Sequence, residues 1–300
     1  MSKVLVAGLN PAWQKILEFK GLRTGGVNRA ETLVQLASGK GMNSAKVLRR
    51  LGHEVHLLQI LGGSNGQRCL VAYQALDIKS VHASIEEETR ECLTLVDLES
   101  GAVTEIIESF ETEAPDLGRV LLDALPADSS AFDAILLSGT IPPGLPADMY
   151  TRILERFRPR ISLLDAWKGV DAGLLDRAGL VKVNREEYAA LAPVAKGVRG
   201  AGPLFLVTDG AGEAAVIRSG KTLGRISMAR LEGIRNPIGA GDTVSAGTLH
   251  FLLEGLAPEE AFRRGLAMGS ASCLKLEPAQ FAWEEFEALL PRIGPAVAGS

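Results

Sequence analysis

Short runs of aliphatic and β-branched residues recur along the chain at Val4–Ala7, Val55–Leu61, Ala134–Leu137, Ile161–Leu164, Leu204–Val207 and Ala214–Ile217. Their apolar positions are nearly continuous, as expected for strands buried on both faces of a parallel sheet. Between them Asn43–Leu51, closed by Gly52, and Asp148–Phe157 carry helical signals. This order predicts an α/β fold, a mostly parallel central sheet covered by helices. Two regions break the rhythm. Leu17 and Phe19 alternate with Glu18 and Lys20, Glu31–Ala37 reads as extended, and Glu91–Leu98 joins Val103–Glu108 across Ser100-Gly101. They predict a small antiparallel sheet made from two insertions, with one face free to cover a cleft or to pair with a second copy. Late in the chain Pro258-Glu259-Glu260 opens a helix on which Ala261, Gly265, Gly269 and Cys273 share one face. So small a stripe suits close helix packing, or a flat ring such as a nucleotide base. The tail Ile293–Ser300 is expected to fray.

Composition narrows the function classes. With 300 residues, 46% of them hydrophobic, the chain can bury one large core. Its net charge of -4, from 32 basic and 36 acidic residues, leaves no positive excess for nucleic acid or an anionic membrane, so neither is an expected partner. Cys69, Cys92 and Cys273 are too few and too scattered for a disulfide framework or a thiolate metal site. The four histidines lack ligand spacing. No run approaches the ~18 apolar residues of a membrane span, and the opening run is too short for a signal peptide, so a cytoplasmic protein is expected.

In open α/β sheets ligands gather beyond the carboxyl ends of the strands. Those ends here read Asn10-Pro11, Gly62-Gly63, Ser138-Gly139, Asp165, Asn184 and Thr208-Asp209-Gly210. The most informative stretch lies further on, at Asn236-Pro237-Ile238-Gly239-Ala240-Gly241-Asp242, and leads into an apolar helix that runs through Leu253. A glycine turn opening a helix points unpaired N–H groups and the positive end of the helix dipole at one spot, which suits a phosphate. Asp242 would repel that anion, yet it suits a base that takes a proton from an attacking hydroxyl. The plainer alternative is a helix-capping aspartate.

Five motifs stand in a familiar order: Asn10-Pro11-Ala12, Ser38-Gly39-Lys40-Gly41-Met42-Asn43, Glu88-Thr89-Arg90, Ser138-Gly139-Thr140-Ile141-Pro142-Pro143-Gly144, and Asn236 to Asp242. Together they resemble the ribokinase-like (PfkB) carbohydrate kinases, closest to the branch containing 1-phosphofructokinase and tagatose-6-phosphate kinase. The resemblance implies a single three-layer α/β/α domain over residues 1–300, with a β lid from about 12–37 and 86–110. It also implies transfer of the γ-phosphoryl group of ATP to a hydroxyl of a hexose phosphate, and a possible homodimer through the lid. By the same resemblance Asp242 is the catalytic base, and Gly239, Ala240 and Gly241 form the anion hole. Lys182 meets nucleotide phosphate, and Asn184 and Glu187 hold Mg2+ through water, which suits an ion that keeps its hydration. Thr208, Gly210 and Gly212 line the ATP phosphates. For the acceptor the resemblance implies Gly39, Lys40, Gly41, Asn43, Ser138 and Arg90, the guanidinium matching a substrate phosphate.

Three departures bear on the acceptor. Gln14 stands where the branch has an aspartate, so it brings two donors and no charge. Ser38 replaces a glycine, and Asp165-Ala166-Trp167-Lys168-Gly169 replaces a version containing Ser-Gly. Two other readings therefore stay open. One is a kinase of the same fold for an unphosphorylated sugar or nucleoside, with Trp13 stacking on the acceptor. The other is a sugar-phosphate sensor without catalysis.

Overall fold

The computed structural model describes residues 1–114 and 116–298. The chain opens with β1 (Lys3–Ala7), leaves it for the hairpin β2 (Ala12–Phe19) and β3 (Thr32–Ser38), and returns through α1 (Lys40–Arg50), β4 (Glu54–Gly62), α2 (Gly63–Ala75) and β5 (Lys79–Ile85). A second excursion forms the hairpin β6 (Glu91–Asp97) and β7 (Val103–Ile107). Helices and strands then alternate as α3 (Leu117–Asp123), β8 (Ala134–Ser138), α4 (Met149–Arg156), β9 (Ile161–Asp165), α5 (Ala172–Arg177), β10 (Leu180–Asn184), α6 (Arg185–Ala195) and β11 (Leu204–Thr208). The chain ends with β12 (Ala214–Arg218), β13 (Lys221–Ile226), α7 (Ala240–Leu253), α8 (Pro258–Ser272), α9 (Trp283–Leu289) and β14 (Val297–Ala298).

The main sheet has the order β14-β13-β12-β11-β10-β9-β8-β1-β4-β5. It is parallel from β11 to β5 and antiparallel from β11 to β14. Side-chain alternation divides each strand between two cores. Val4 and Val6 join one cluster with residues of α1, α2, α7, α8 and α9, while Leu5 and Ala7 join the other with residues of α3 to α6. Three layers result, because a sheet apolar on both faces must be covered on both.

Helix α7 is buried from Asp242 to Leu249, so its apolar character extends all round rather than along one stripe. A Cβ added at Gly265 would collide with Thr248, and one at Gly269 with Val244. The small-residue face of α8 is therefore filled by α7, leaving no room there for a nucleotide base.

Four strands form the second sheet in the order β3-β2-β6-β7. Its two hairpins are antiparallel, but β2 and β6 run parallel where they meet. The reason is topological: β1 and β5 are parallel, and each insertion leaves the main sheet at a carboxyl end. The tail does not simply fray, since Val297 and Ala298 pair with Arg225 and Gly224 of β13. Gly299 and Ser300 lie outside the described residues.

Candidate active site

Strand order reverses around β1, which has β4 on one side and β8 on the other. Above the carboxyl ends at this switch point lies a cavity of about 630 Å3, lined from below by Asn10, Ser138, Asn184 and Thr208. The second sheet closes one side with Gln14, Cys92, Glu105 and Ile107, and Arg90, just before β6, lines the same side.

Gly239 adopts φ +78 as the N-cap of α7, a left-handed conformation in which a side chain would be strained. Gly239 and Gly241 both line the cavity. Among the described residues their N–H groups carry no hydrogen bond to protein. Ala240, expected in the same cradle, instead donates its N–H to the Pro237 carbonyl (3.2 Å) and does not line the cavity. Asp242 sits in the first turn of α7 and lines the cavity. It is not a helix cap; its Oδ2 accepts a hydrogen bond from Asn43 Nδ2 at 2.8 Å. Burial, and then the charge of Asp165, raise its carboxyl above the ordinary carboxylate range, against the pull of Lys40, Asn43 and Lys182. A base with a raised pKa is better matched to taking a proton near neutral pH.

Beneath this turn lies a group that the sequence marks as a strand end and as the start of a departure from the family pattern, without a role of its own. Asp165, almost fully buried at the end of β9, holds Lys40 Nζ at 3.1 Å and Lys182 Nζ at 3.3 Å, and accepts from Ser245 Oγ. Burial alone would raise its pKa, but Lys182 and Lys40 outweigh that and hold it at about 2. Lys40 is correspondingly raised, first by Asp165 and, after the opposing effect of burial, by Asp242 and Glu187. One carboxylate thus anchors two cations beside the glycine turn. A Cβ at Gly241 would lie 2.8 Å from Lys182 Nζ, so a side chain there would displace the amine from its place beside Asp165. The available signal was an acid closing an apolar strand, aligned with Ser138 of β8 in the sheet register.

On the nucleotide side, Asn184 and Glu187 both line the cavity, yet they also satisfy each other. Asn184 Oδ1 accepts from Glu187 N at 2.8 Å and Glu187 Oε2 accepts from Asn184 N at 2.9 Å, a capping box at the start of α6. Each oxygen retains a lone pair, and the second carboxylate oxygen of Glu187 is uncommitted, so a hydrated cation fits this donor set. Among the described residues no cluster of three or more His, Cys, Asp or Glu is arranged to hold a metal directly. Thr208 lines the cavity, while Gly210 and Gly212 lie in the turn beyond it, where Gly212 N donates to Asp209 O.

On the acceptor side, Gly39 (φ +99) caps α1 and lines the cavity with Lys40. Gly41 does not; a Cβ there would run into Gly8, so its role is close packing of α1 on the end of β1. Asn43 lines the cavity while orienting Asp242. Ser138 Oγ and Asn10 Oδ1 are buried in the cavity wall without a protein partner, which makes the wall fit for a polar, hydroxyl-bearing ligand. Arg90 is not paired with Glu88 or Glu91. Glu88 receives N–H groups at the start of α2, Glu91 pairs with Lys15, and Arg90 donates to the carbonyls of Pro11 and Asn10 at 3.2 Å each. The remaining guanidinium donors stay available to an anion.

Gln14 is buried, lines the cavity and gives one of its two amide N–H groups to Thr94 Oγ1 at 2.6 Å. Beside it on the same row of the lid stand Cys92 and Ile107. Trp13 is on the opposite face, bonded to Gln35 and stacked under Arg68, and does not reach the cavity. Trp167, by contrast, does line the cavity.

The model of the pfkB family of carbohydrate kinases matches residues 7–284. Among curated proteins, the 1-phosphofructokinase of Bacillus subtilis is 26% identical, covering 95% of this chain and 96% of its own. The tagatose-6-phosphate kinase of Staphylococcus epidermidis is 24% identical, covering 97% and 98%. Among solved structures, phosphofructokinase-2 from Escherichia coli in complex with fructose-6-phosphate superposes with a TM-score of 0.80 at 19% identity, covering 97% of this chain and 99% of that one. Ribokinase from Thermotoga maritima gives 0.73 at 18%, covering 97% and 100%.

Proposed function

The chain belongs to the pfkB family of carbohydrate kinases, and from that premise we propose that it transfers the γ-phosphoryl group of ATP to a hydroxyl of a hexose phosphate, of the fructose 1-phosphate or tagatose 6-phosphate kind. The observation that carries the reading is the meeting of three features in one cavity. They are a raised, oriented carboxylate at Asp242, uncommitted N–H groups at Gly239 and Gly241, and a guanidinium at Arg90.

In this reading the acceptor lies on Ser138 and Asn10 with its phosphate toward Arg90. Asp242 takes the proton of the attacking hydroxyl, held in place by Asn43. The amides of Gly239 and Gly241, with Lys40 and Lys182, stabilise charge on the transferred group, which is the main task in phosphoryl transfer. Asn184 and Glu187 would hold Mg2+ through water, and the ion would neutralise charge on the ATP phosphates. Trp13, facing away from the cavity, no longer supports a neutral sugar or nucleoside as acceptor.

Purified protein with Mg2+ and ATP, offered a panel of hexose phosphates, free sugars and nucleosides, tests the proposal. Turnover restricted to phosphorylated acceptors is expected. Turnover only with neutral acceptors would overturn the acceptor class, and binding of a sugar phosphate without ATP consumption would favour a sensor.

The outer lid face supports a homodimer. Leu33 and Ile106, 53% and 51% exposed, flank Leu17, Leu93 and Leu95 on the side away from the cavity. Light scattering should give a dimer that Ile106→Glu converts to a monomer; a monomeric wild type removes the proposal.

A further inference from the structure

Helix α1 does more than present Lys40 and Asn43. One turn further along, Lys46 Nζ donates to the Pro278 carbonyl at 3.1 Å, across 232 positions of sequence. Pro278 and Ala279 belong to the connection between α8 and α9, and they form the wall behind the glycine turn. A Cβ on Gly239 would lie 2.8 Å from Pro278 Cβ and 3.2 Å from Ala279 N, so turn and wall are in direct contact. Ala279 is buried with φ 59, a left-handed conformation costly for a residue with a side chain, so its neighbours must hold it there. Two bonds hold the stretch just before it, Asn236 Nδ2 to the Leu276 carbonyl at 2.8 Å and Lys46 to Pro278, and Arg50 holds the Gln280 side chain just after it at 3.1 Å.

We propose that Lys46 is a positioning residue that clamps the 276–282 connection against Gly239 and so fixes the turn whose amides face the transferred phosphoryl group. The clamp belongs to the same helix that orients Asp242 through Asn43 and bonds its main chain through Ser44. Base, cradle wall and the Lys40 amine are therefore referred to one rigid body. The proposal rests on the kinase reading for its catalytic part only. Burial lowers the Lys46 amine to about 8, while the two carboxylates that face it, Glu277 and Asp242, act in the opposite direction.

Lys46→Met removes the donor at similar volume, and Lys46→Arg keeps donor and charge. In the free protein, amide hydrogen exchange at Ala240, Thr243 and Ala282, whose N–H groups are bonded to Pro237, Gly239 and Glu285, should quicken about tenfold or more in Lys46→Met and stay near wild type in Lys46→Arg. Exchange within twofold of wild type in Lys46→Met overturns the clamp, whatever reaction the protein performs. With an accepted sugar phosphate, kcat should fall about tenfold in Lys46→Met with the acceptor KM changed less than about twofold, and Lys46→Arg should restore it. Wild-type kcat should also decline above about pH 8, where Lys46→Arg holds its plateau. Faster exchange with unchanged kcat would overturn the positioning role. Absence of ATP consumption by wild type would instead defeat the kinase reading and leave the clamp to the exchange result. Lys46→Gln, whose amide is shorter and reaches the Pro278 carbonyl less well, serves as the second variant if Lys46→Met does not fold; exchange at the same amides at least about threefold faster than in Lys46→Arg is then expected, and exchange within twofold of wild type overturns the clamp.

Discussion

Replacing Asp165 by Asn removes a charge and almost no volume, and its effect can be worked from the contacts. The Lys182 and Asp165 side chains are only 7% and 1% exposed. Removing one member of so buried a pair leaves an uncompensated ammonium, at a cost of about 3–5 kcal/mol. The contact with Lys40 adds under about 1 kcal/mol, because the Lys40 side chain is 42% exposed and screened by solvent. The bond from Ser245 survives, since an amide oxygen also accepts. With an unfolding entropy of about 2.1 cal/mol/K per residue, the loss corresponds to a Tm lower by about 5–8 °C. Differential scanning calorimetry and urea unfolding of wild type and Asp165→Asn would read it. Because the native carboxyl titrates near 2, below its unfolded value of about 3.9, the stabilisation is fully present above pH 4 and fades as pH falls through that window. The double variant Asp165→Asn, Lys182→Met should regain most of the loss. A deficit under about 1 kcal/mol, or a double variant no better than the single, would refute the assignment of Asp165 as the counter-charge.

Asp242→Asn should lower turnover by about 10²–10⁴ with nucleotide affinity retained. It should also raise Tm, because a carboxyl whose native pKa lies above its unfolded value costs stability once pH has risen through that native value. In wild type, the acidic limb of kcat/KM should inflect above about 3.9, the ordinary aspartate value. Arg90→Ala should raise the KM for a phosphorylated acceptor about 10- to 100-fold, the equivalent of one charge-assisted hydrogen bond of about 1.5–3 kcal/mol, as steady-state kinetics would show. An unchanged KM would place the acceptor phosphate elsewhere.

Short-range features of this protein were fixed within a few residues and could be read directly. The apolar runs specify β1, β4, β8, β9, β11 and β12, since a strand buried on both faces needs little beyond its own composition. The turn at Gly239 and the place of Asp242 in the first turn of α7 follow from backbone freedom at glycine, whereas the capping box of Asn184 and Glu187 came to light only in the structure. Which side chains meet was decided only by the fold. Asn43 reaches Asp242 across 199 positions, and Lys40 reaches Asp165 across 125. Pairing of β2 with β6 sets Thr94 within reach of Gln14 and so fixes how its amide is turned. Strand register put Trp13 on the outer face of the lid and Gln14 on the inner one, because successive side chains point to opposite sides. Contacts of this kind depend on how sheets and helices pack around a shared core, and no local stretch of sequence carries that information.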